Sequence, residues 1–589
     1  MKINIAVVIV LLLFGCETKK EDKKGSFPTH FENSGGTETA TYEQVIDFYI
    51  HLAKEYPEIS FQTIGETDSG FPLHIVSYNP DGEFNFKKLA ATKTIILINN
   101  GIHPGESDGI DATMMLIRDL ATGKLDAPKN TVLVSIPIYN IGGALNRNTG
   151  TRANQNGPLS YGFRGNAKNY DLNRDFIKAD SKNAKTFASI YHLVNPDIFI
   201  DNHVSNGADY QYTLTHLFTQ HNKLGGDLGT YLNDEMMPNL AKRLADVQWD
   251  ITPYVNVHNA PPDHGFSQFI DHPRYSTGYT TLWNTLGMMV ETHMLKPYEK
   301  RVHGTYELMK QMIDIAETDG IRIKALRKEA LTRHQGWTHY PTQWAIDSTR
   351  QSILDFKGYQ ADTLLSEVTG FPRLKYDHDK PFVKKVVYRN YMMATDSVRI
   401  PTAYIVKKEH GVIMERMTAN KIYFETLMND TLMEVGSYTI AAYRTAPGAY
   451  EGHYPHFQTK VAESTQNMAF VEGDYLIPTD QEGIRYIMET LEPEATDSFF
   501  NWNFFDAILQ RKEGFSPYVF EDEALKILNE NALVKDSFLM KKSSDPSFAN
   551  DWYAQLDWLY ARSEHAEKAF MQYPVYRVFQ RVVDPKDSD

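Results

Sequence analysis

Four short stretches, residues 94–98, 131–136, 197–200 and 288–290, are apolar at nearly every position. Continuous apolar runs of this length suit strands covered on both faces. Between them, residues 112–120 and 184–193 repeat apolar side chains at helical spacing. Upstream, Thr41 and Gln44 stand at capping-box spacing ahead of a Val45, Phe48, Leu52 stripe, which predicts a helix start. Residues 61–64 and 73–78 read as strands joined through Asp68-Ser69-Gly70, a turn signal. Buried strands alternating with helices predict an α/β domain over residues 41–325. Its sheet is expected to be mixed, mainly parallel and flanked by helices, and it closes with a helical pattern at 309–323.

Further along, the pattern changes. Residues 326–375 are mixed and read as a connecting region. From 376 to 490 the apolar stretches at 383–388, 402–406, 421–424 and 438–443 are short, β-branched or aromatic, and separated by turns. That predicts a β-rich, sandwich-like accessory domain. Residues 491–589 are aromatic-rich and then helical, with helices expected at 523–528 and 552–566. No repeat of solenoid length is visible.

At 589 residues the chain is long enough for two or three domains, and 42% hydrophobic with 23% charged residues is ordinary for a globular protein. Its 75 acids against 60 Lys and Arg give a net charge of -15, so a nucleic-acid partner is not expected. The N-terminus adds a compartment. Lys2 precedes an apolar run at 5–14, too short to span a bilayer but right for a signal-peptide core. The run ends at Gly15-Cys16, and Cys16 is the only cysteine. A small residue followed by Cys at this place resembles a bacterial lipobox. It implies a lipoprotein signal peptide over 1–16, lipidation of Cys16, and a charged flexible tether over 17–40. The expected location is the bacterial cell envelope, lipid-anchored in the outer membrane on its periplasmic face or at the cell surface. The lipid anchor is then the only expected membrane contact.

The chemistry lies where the apolar runs end. In open α/β sheets the carboxyl ends of the strands are where ligands bind. After the first run comes His103-Pro104-Gly105-Glu106, a His and a Glu in a turn that can converge on one cation. After the third comes His203, a third donor at the same sheet edge. Two His and one Glu form a common catalytic zinc set, with the fourth position open. Each alone is a weak signal in a chain with 20 His and 75 acids. Between them lie Arg164-Gly165-Asn166 and Asp171-Leu172-Asn173-Arg174. An arginine suits a carboxylate, and Asp171 is placed to hold the second ring nitrogen of a metal-bound histidine. Glu291 ends the last run; a carboxylate there needs a partner or a role as general base.

The order H-x-x-E, R-x-N, D-L-N-R, strand-end His and strand-end Glu resembles the metallocarboxypeptidase (funnelin) family. Tyr56-Pro57, Ile64-Gly65 and Ser69-Gly70-Phe71-Pro72-Leu73 are similar to the family's opening. The likeness runs over roughly residues 41–323. It implies one zinc ion per chain held by His103, Glu106 and His203, with Glu291 as the base acting on zinc-bound water. It implies Arg164 as the group that polarises the scissile carbonyl, with Arg152 as its rival. It implies Asn173 and Arg174 as the grip on a peptide's free C-terminal carboxylate, and a tyrosine lining the site, Tyr275 in preference to Tyr279. Asn169 stands where the family commonly has Gly, and the interval from Arg174 to His203 is short. The resemblance thus implies a carboxypeptidase acting on peptides with a free C-terminus. Two other readings stay open: a zinc amide hydrolase acting on muropeptides or N-acyl amino acids, and a catalytically inert surface-binding lipoprotein. Asp271 and Arg274 are the charged residues near the region that would set side-chain preference.

Overall fold

The computed structural model describes residues 27–579. The apolar N-terminal run and Cys16 lie outside the described residues, and with them the signal-peptide and lipidation expectations. Among the described residues no helix is long and apolar enough to cross a membrane.

The first half is built on one eight-stranded sheet. Its strands are β1 (Ile59–Glu66), β2 (Pro72–Tyr78), β3 (Thr94–Asn99), β4 (Thr131–Ile136), β5 (Ile198–Ser205), β6 (Leu214–Phe218), β7 (Ile251–Pro253) and β9 (Leu286–His293), with the two-residue β8 (Phe266–Ser267) outside it. The spatial order is β1-β2-β4-β3-β5-β9-β6-β7. The central run β4-β3-β5-β9 is parallel throughout, and antiparallel pairs β1/β2, β2/β4 and β6/β9 border it. This is the expected mixed, mainly parallel sheet. Every residue of β3, β4 and β5 is buried, which explains their unbroken apolar patterning.

Helices cover both the strand crossovers and the sheet. Tyr42–Glu55 begins at the Thr41/Gln44 capping box, with both reciprocal bonds formed. Asp108–Ala121 follows β3 and Lys182–Val194 precedes β5. The closing helix, Tyr298–Thr332, is 35 residues long and packs against Asp108–Ala121, β3 and β9. Two strands outrun their apolar signals. β5 continues through His203 and β9 through Glu291, so both polar residues sit within strands.

Residues 326–375 hold the end of the long helix, β10 (His339–Ile346) and β11 (Ser352–Leu365). β11 pairs with β12 (Pro372–Arg389), and β10 pairs with β13 (Met392–Arg399). The following region forms a six-stranded antiparallel sheet from β14 (Ala403–Val406), β15 (Glu425–Thr426), β16 (Thr431–Thr445), β17 (His456–Phe470), β18 (Tyr475–Pro478) and β19 (Val575–Val578). Residues 421–424, expected as a strand, are not one; Lys421 takes a φ of +56° and turns the chain. Alternation along β14 sends Tyr404 and Val406 into the main core and Ala403 and Ile405 into a separate cluster. The main core runs without a break from the first half into this sheet through Tyr486, Ile487, Phe499 and Phe500. Between β18 and β19 the chain forms helices, including Pro517–Glu530 and Trp552–Tyr560, around a small core of their own; the last of these stops at Tyr560, short of the expected 566.

Candidate metal centre and cleft

His103 and Glu106 occupy the loop between β3 and the helix Asp108–Ala121, and the Glu106 N–H donates to the His103 carbonyl at 2.7 Å, closing a tight turn. Gly105 is required between them, since a Cβ there would lie 2.5 Å from Arg152 Nε. His203 comes from β5, where parallel pairing sets it beside Glu291 of β9. Side chains of paired residues share a face of the sheet, so topology alone brings the second histidine and the Glu291 carboxylate together.

Both imidazoles turn Nδ1 toward one carboxylate. His203 Nδ1 lies 3.0 Å from Glu106 Oε2, and His103 Nδ1 lies 3.2 Å from Glu106 Oε1. The Nε2 atoms point away and are each held by an acid: His103 by Asp171 at 2.9 Å, His203 by Asp201 at 2.9 Å. Donor atoms from His103, Glu106 and His203 all lie within 4.8 Å of one another, and all three residues are buried. His103 Nδ1 is buried with no hydrogen-bond partner. That orphaned nitrogen, the His₂Glu donor set and the carboxylates behind both rings fit a zinc ion.

The charges around this centre are arranged unequally. Burial favours a neutral Glu106, but His103 and Arg152 outweigh it and hold the carboxyl well below the usual range. Burial also opposes ionisation of Asp171, and His103, Arg164 and Arg174 overcome it. Glu291 goes the other way. Burial, with the charges of Glu106 and Asp201, pushes it up to about 8 against the pull of His203 and Arg164. A cation bound at the centre would oppose this rise and favour the ionised carboxylate, the form that can accept a proton from water.

A cleft of about 460 Å³ opens over the centre. His103, Glu106, His203, Glu291, Arg164, Asn173, Arg174 and Tyr275 all line it, and Asp171 stands directly behind His103. Arg174 donates to the Asn173 carbonyl at 2.8 Å and lies 4.5 Å over the Tyr275 ring. Asn173 Oδ1 accepts the Ser276 N–H, which ties the two loops together. Tyr279 is not in the cleft; it is fully buried and donates to Asn420 at 2.6 Å. Asp271 and Arg274 do not line the cleft either. Asp271 is buried near Lys223, and Arg274 pairs with Asp497 at 2.6 Å.

The two candidate arginines differ. Arg164 is exposed, and its Nε and Nη2 bond Asp171 at 3.0 and 2.8 Å. Arg152 bonds Glu106 at 2.8 Å, while its Nη2 is buried without a partner. Sequence reasoning missed Tyr254, Phe269, Leu217 and Met289, which also line the cleft. Tyr254 lies on a loop without regular pattern. Leu217 and Met289 face each other across β6 and β9, and nothing local in the sequence pairs those strands. Asp201 was findable, because two residues apart on one strand is one face.

Residues 45–203 match the family model for zinc carboxypeptidases (Peptidase_M14). His103, Glu106 and His203 all fall inside that segment. No curated protein matches the chain. Among solved structures, a metallo-carboxypeptidase from Burkholderia cenocepacia is 16% identical, with 48% of this chain and 70% of that chain covered and a TM-score of 0.36. A metallo-carboxypeptidase from Pseudomonas aeruginosa, in complex with (2-guanidinoethylmercapto)succinic acid, is 12% identical over the same shares, with a TM-score of 0.36. Carboxypeptidase A from Helicoverpa armigera is 14% identical, with 50% and 74% covered and a TM-score of 0.33.

Proposed function

We propose that this chain, whose residues 45–203 carry a zinc carboxypeptidase family segment, removes C-terminal residues from peptides by zinc-dependent hydrolysis. One observation carries the reading: the His103-Glu106-His203 group, the Glu291 carboxyl and the Asn173-Arg174 pair share one cleft. His103, Glu106 and His203 would hold the zinc, which when bound supplies Lewis acidity toward water and a carbonyl.

The remaining roles belong to side chains. Glu291 takes the proton from the attacking water and returns it to the departing amine. Arg152 Nη2, buried and unpartnered, donates to the carbonyl oxygen as its charge grows, while Arg164 serves chiefly to hold Asp171. Asn173 and Arg174 hold the terminal carboxylate, and Tyr275 backs the Arg174 guanidinium. Asp171 and Asp201 fix the ring orientation of the two histidines. Leu217, Phe269 and Met289 give the cleft an apolar wall for the terminal side chain.

The test is digestion of paired peptides with free and amidated C-termini, read by mass spectrometry alongside metal analysis. Loss of single residues from the free-acid peptide only, by protein holding one zinc per chain, is the expected result. Equal cleavage of both members of a pair would replace the carboxypeptidase reading with that of a broader amide hydrolase. Absence of bound zinc together with absence of cleavage would leave a binding protein.

A further inference from the structure

We infer that Glu451, on the connection between β16 and β17, is a positioning residue for the cleft, acting through Asp171. The inference rests on the carboxypeptidase reading for what the cleft residues do, and on geometry for the rest. Glu451 Oε2 accepts the backbone N–H of Asp171 at 2.7 Å, across 280 residues of sequence. The Asp171 carboxylate is already fully engaged: Oδ1 with His103 Nε2 and the Asn173 N–H, each at 2.9 Å, and Oδ2 with Arg164. Its one remaining main-chain donor is the group Glu451 takes. The residue that orients a zinc-binding histidine is thus held in place by the second half of the chain.

The backbone around Glu451 is shaped for this contact. Glu451 has φ +50° and Gly452 φ +80°. A left-handed conformation is uncommon for a non-glycine residue and persists where surrounding structure enforces it. A Cβ at Gly452 would lie 2.8 Å from the Tyr170 ring, so the tip can reach Asp171 only with glycine there. Next to it, His453 pairs with Asp180 at 2.7 Å, and Arg416 reaches Asp180 at 2.9 Å and the Lys178 carbonyl at 2.7 Å. Asp497 accepts the Arg274 N–H at 2.8 Å, and the Phe176 N–H donates to the Arg274 carbonyl at 3.4 Å. Residues 170–180, which carry Asp171, Asn173 and Arg174, are clamped from outside at several points. Of these, Glu451 alone touches the residue that holds a metal-ligating ring.

Glu451→Ala and Glu451→Gln in the full chain test the idea, with Glu415→Gln as control. Glu415 makes an exposed ion pair with Lys185 at 3.2 Å, joining the same two halves away from the cleft. Two readouts are taken: the rate of zinc loss to a chelator, measured without substrate, and kcat and KM on a free-acid peptide. Glu451→Ala is expected to release zinc about tenfold faster and to lose about tenfold in kcat/KM, at the low end for residues behind a metal ligand. Glu451→Gln keeps an oxygen that accepts the N–H, so it stays near wild type, as does Glu415→Gln. The idea is overturned if Glu451→Ala only lowers the melting temperature, with zinc release and KM unchanged, or if Glu451→Gln is as damaged as Ala. Should Glu451→Ala not fold, Gly452→Ala displaces the same tip and is expected to speed zinc release; unchanged release there overturns the inference. If wild type holds zinc but cleaves no peptide, the function fails while the zinc-release comparison still decides the role of Glu451.

Discussion

Arg152 and Arg164 approach the same oxygen of Glu106, at 2.8 and 3.6 Å, but only Arg152 keeps a buried N–H group without a partner. An unpaired donor on a residue that lines the cleft is the one left to meet a developing oxyanion once substrate displaces its cover. Arg152→Ala is expected to lower kcat by about 10²–10³-fold with zinc retained. Arg164→Ala should cost less in kcat and release zinc faster, since Asp171 loses its closest countercharge. Steady-state kinetics with metal analysis separates the two. A larger kcat loss in zinc-loaded Arg164→Ala would exchange the roles.

Glu291→Gln preserves shape and removes the proton acceptor. The expected loss is about 10²–10⁴-fold in kcat, with fold and zinc content unchanged. Near wild-type kcat on a good substrate would exclude Glu291 as the base.

Arg174→Ala removes a contact made in ground state and transition state alike, so its main effect is expected as a raised KM with a smaller change in kcat. An unchanged KM on a peptide with a free C-terminus would remove the basis for exopeptidase recognition.

Met289 and Glu291 stand two residues apart on β9, and Leu217 lies opposite Met289 on β6. The strand face that carries Glu291 also carries an apolar wall, joined by Phe269. Asp271 and Arg274, the charges nearest in sequence, lie outside the cleft. Peptides ending in Leu, Met or Phe are expected to exceed those ending in Lys or Asp by on the order of 100-fold in kcat/KM. A matched series differing only in the last residue checks this, and a preference for Lys or Asp would contradict it.

Glu489 is buried, accepts a bond from Tyr340 at 2.9 Å, and is pushed up to about 7 by burial, with Asp497 adding to the rise. The folded state therefore favours the protonated acid. Its contribution to stability is full below the ordinary value of 4.5 and is lost as pH rises through about 7. Glu489→Gln cannot ionise, so it should match wild type near pH 4.5 and exceed it above pH 7 by roughly 2–3 kcal/mol. Melting temperatures across that range provide the measurement; a variant less stable than wild type at pH 8 would contradict the sign.

The first half was legible because its signals are local. Apolar runs at 94–98 and 131–136 became β3 and β4 nearly residue for residue, and the polar clusters behind the runs became the cleft. His103, Glu106 and His203 converge because parallel strands put their carboxyl ends on one edge, a rule that needs no side-chain detail. What stayed hidden depends on distant pairing. Arg152 and Arg164 are equivalent as letters and differ only in what Asp171 occupies. Tyr275 and Tyr279 lie one helical turn apart, and the second is kept from the cleft by packing against Phe176, Phe187 and Tyr191 with its hydroxyl on Asn420. Glu451 lies in a turn of unremarkable composition, and its contact with Asp171 follows from how the two halves dock.

The clamp on residues 170–180 is drawn from Arg416, Glu451, His453 and Asp497, and the sheet behind it is completed by β19 at Val575–Val578. Synthesis runs from the N-terminus, so His103, Glu106, His203 and Glu291 emerge well before any part of the clamp. A chain in mid-synthesis holds every reactive group of the cleft without the frame that aims them. The frame around residues 170–180 is thus complete only once these later segments have joined it.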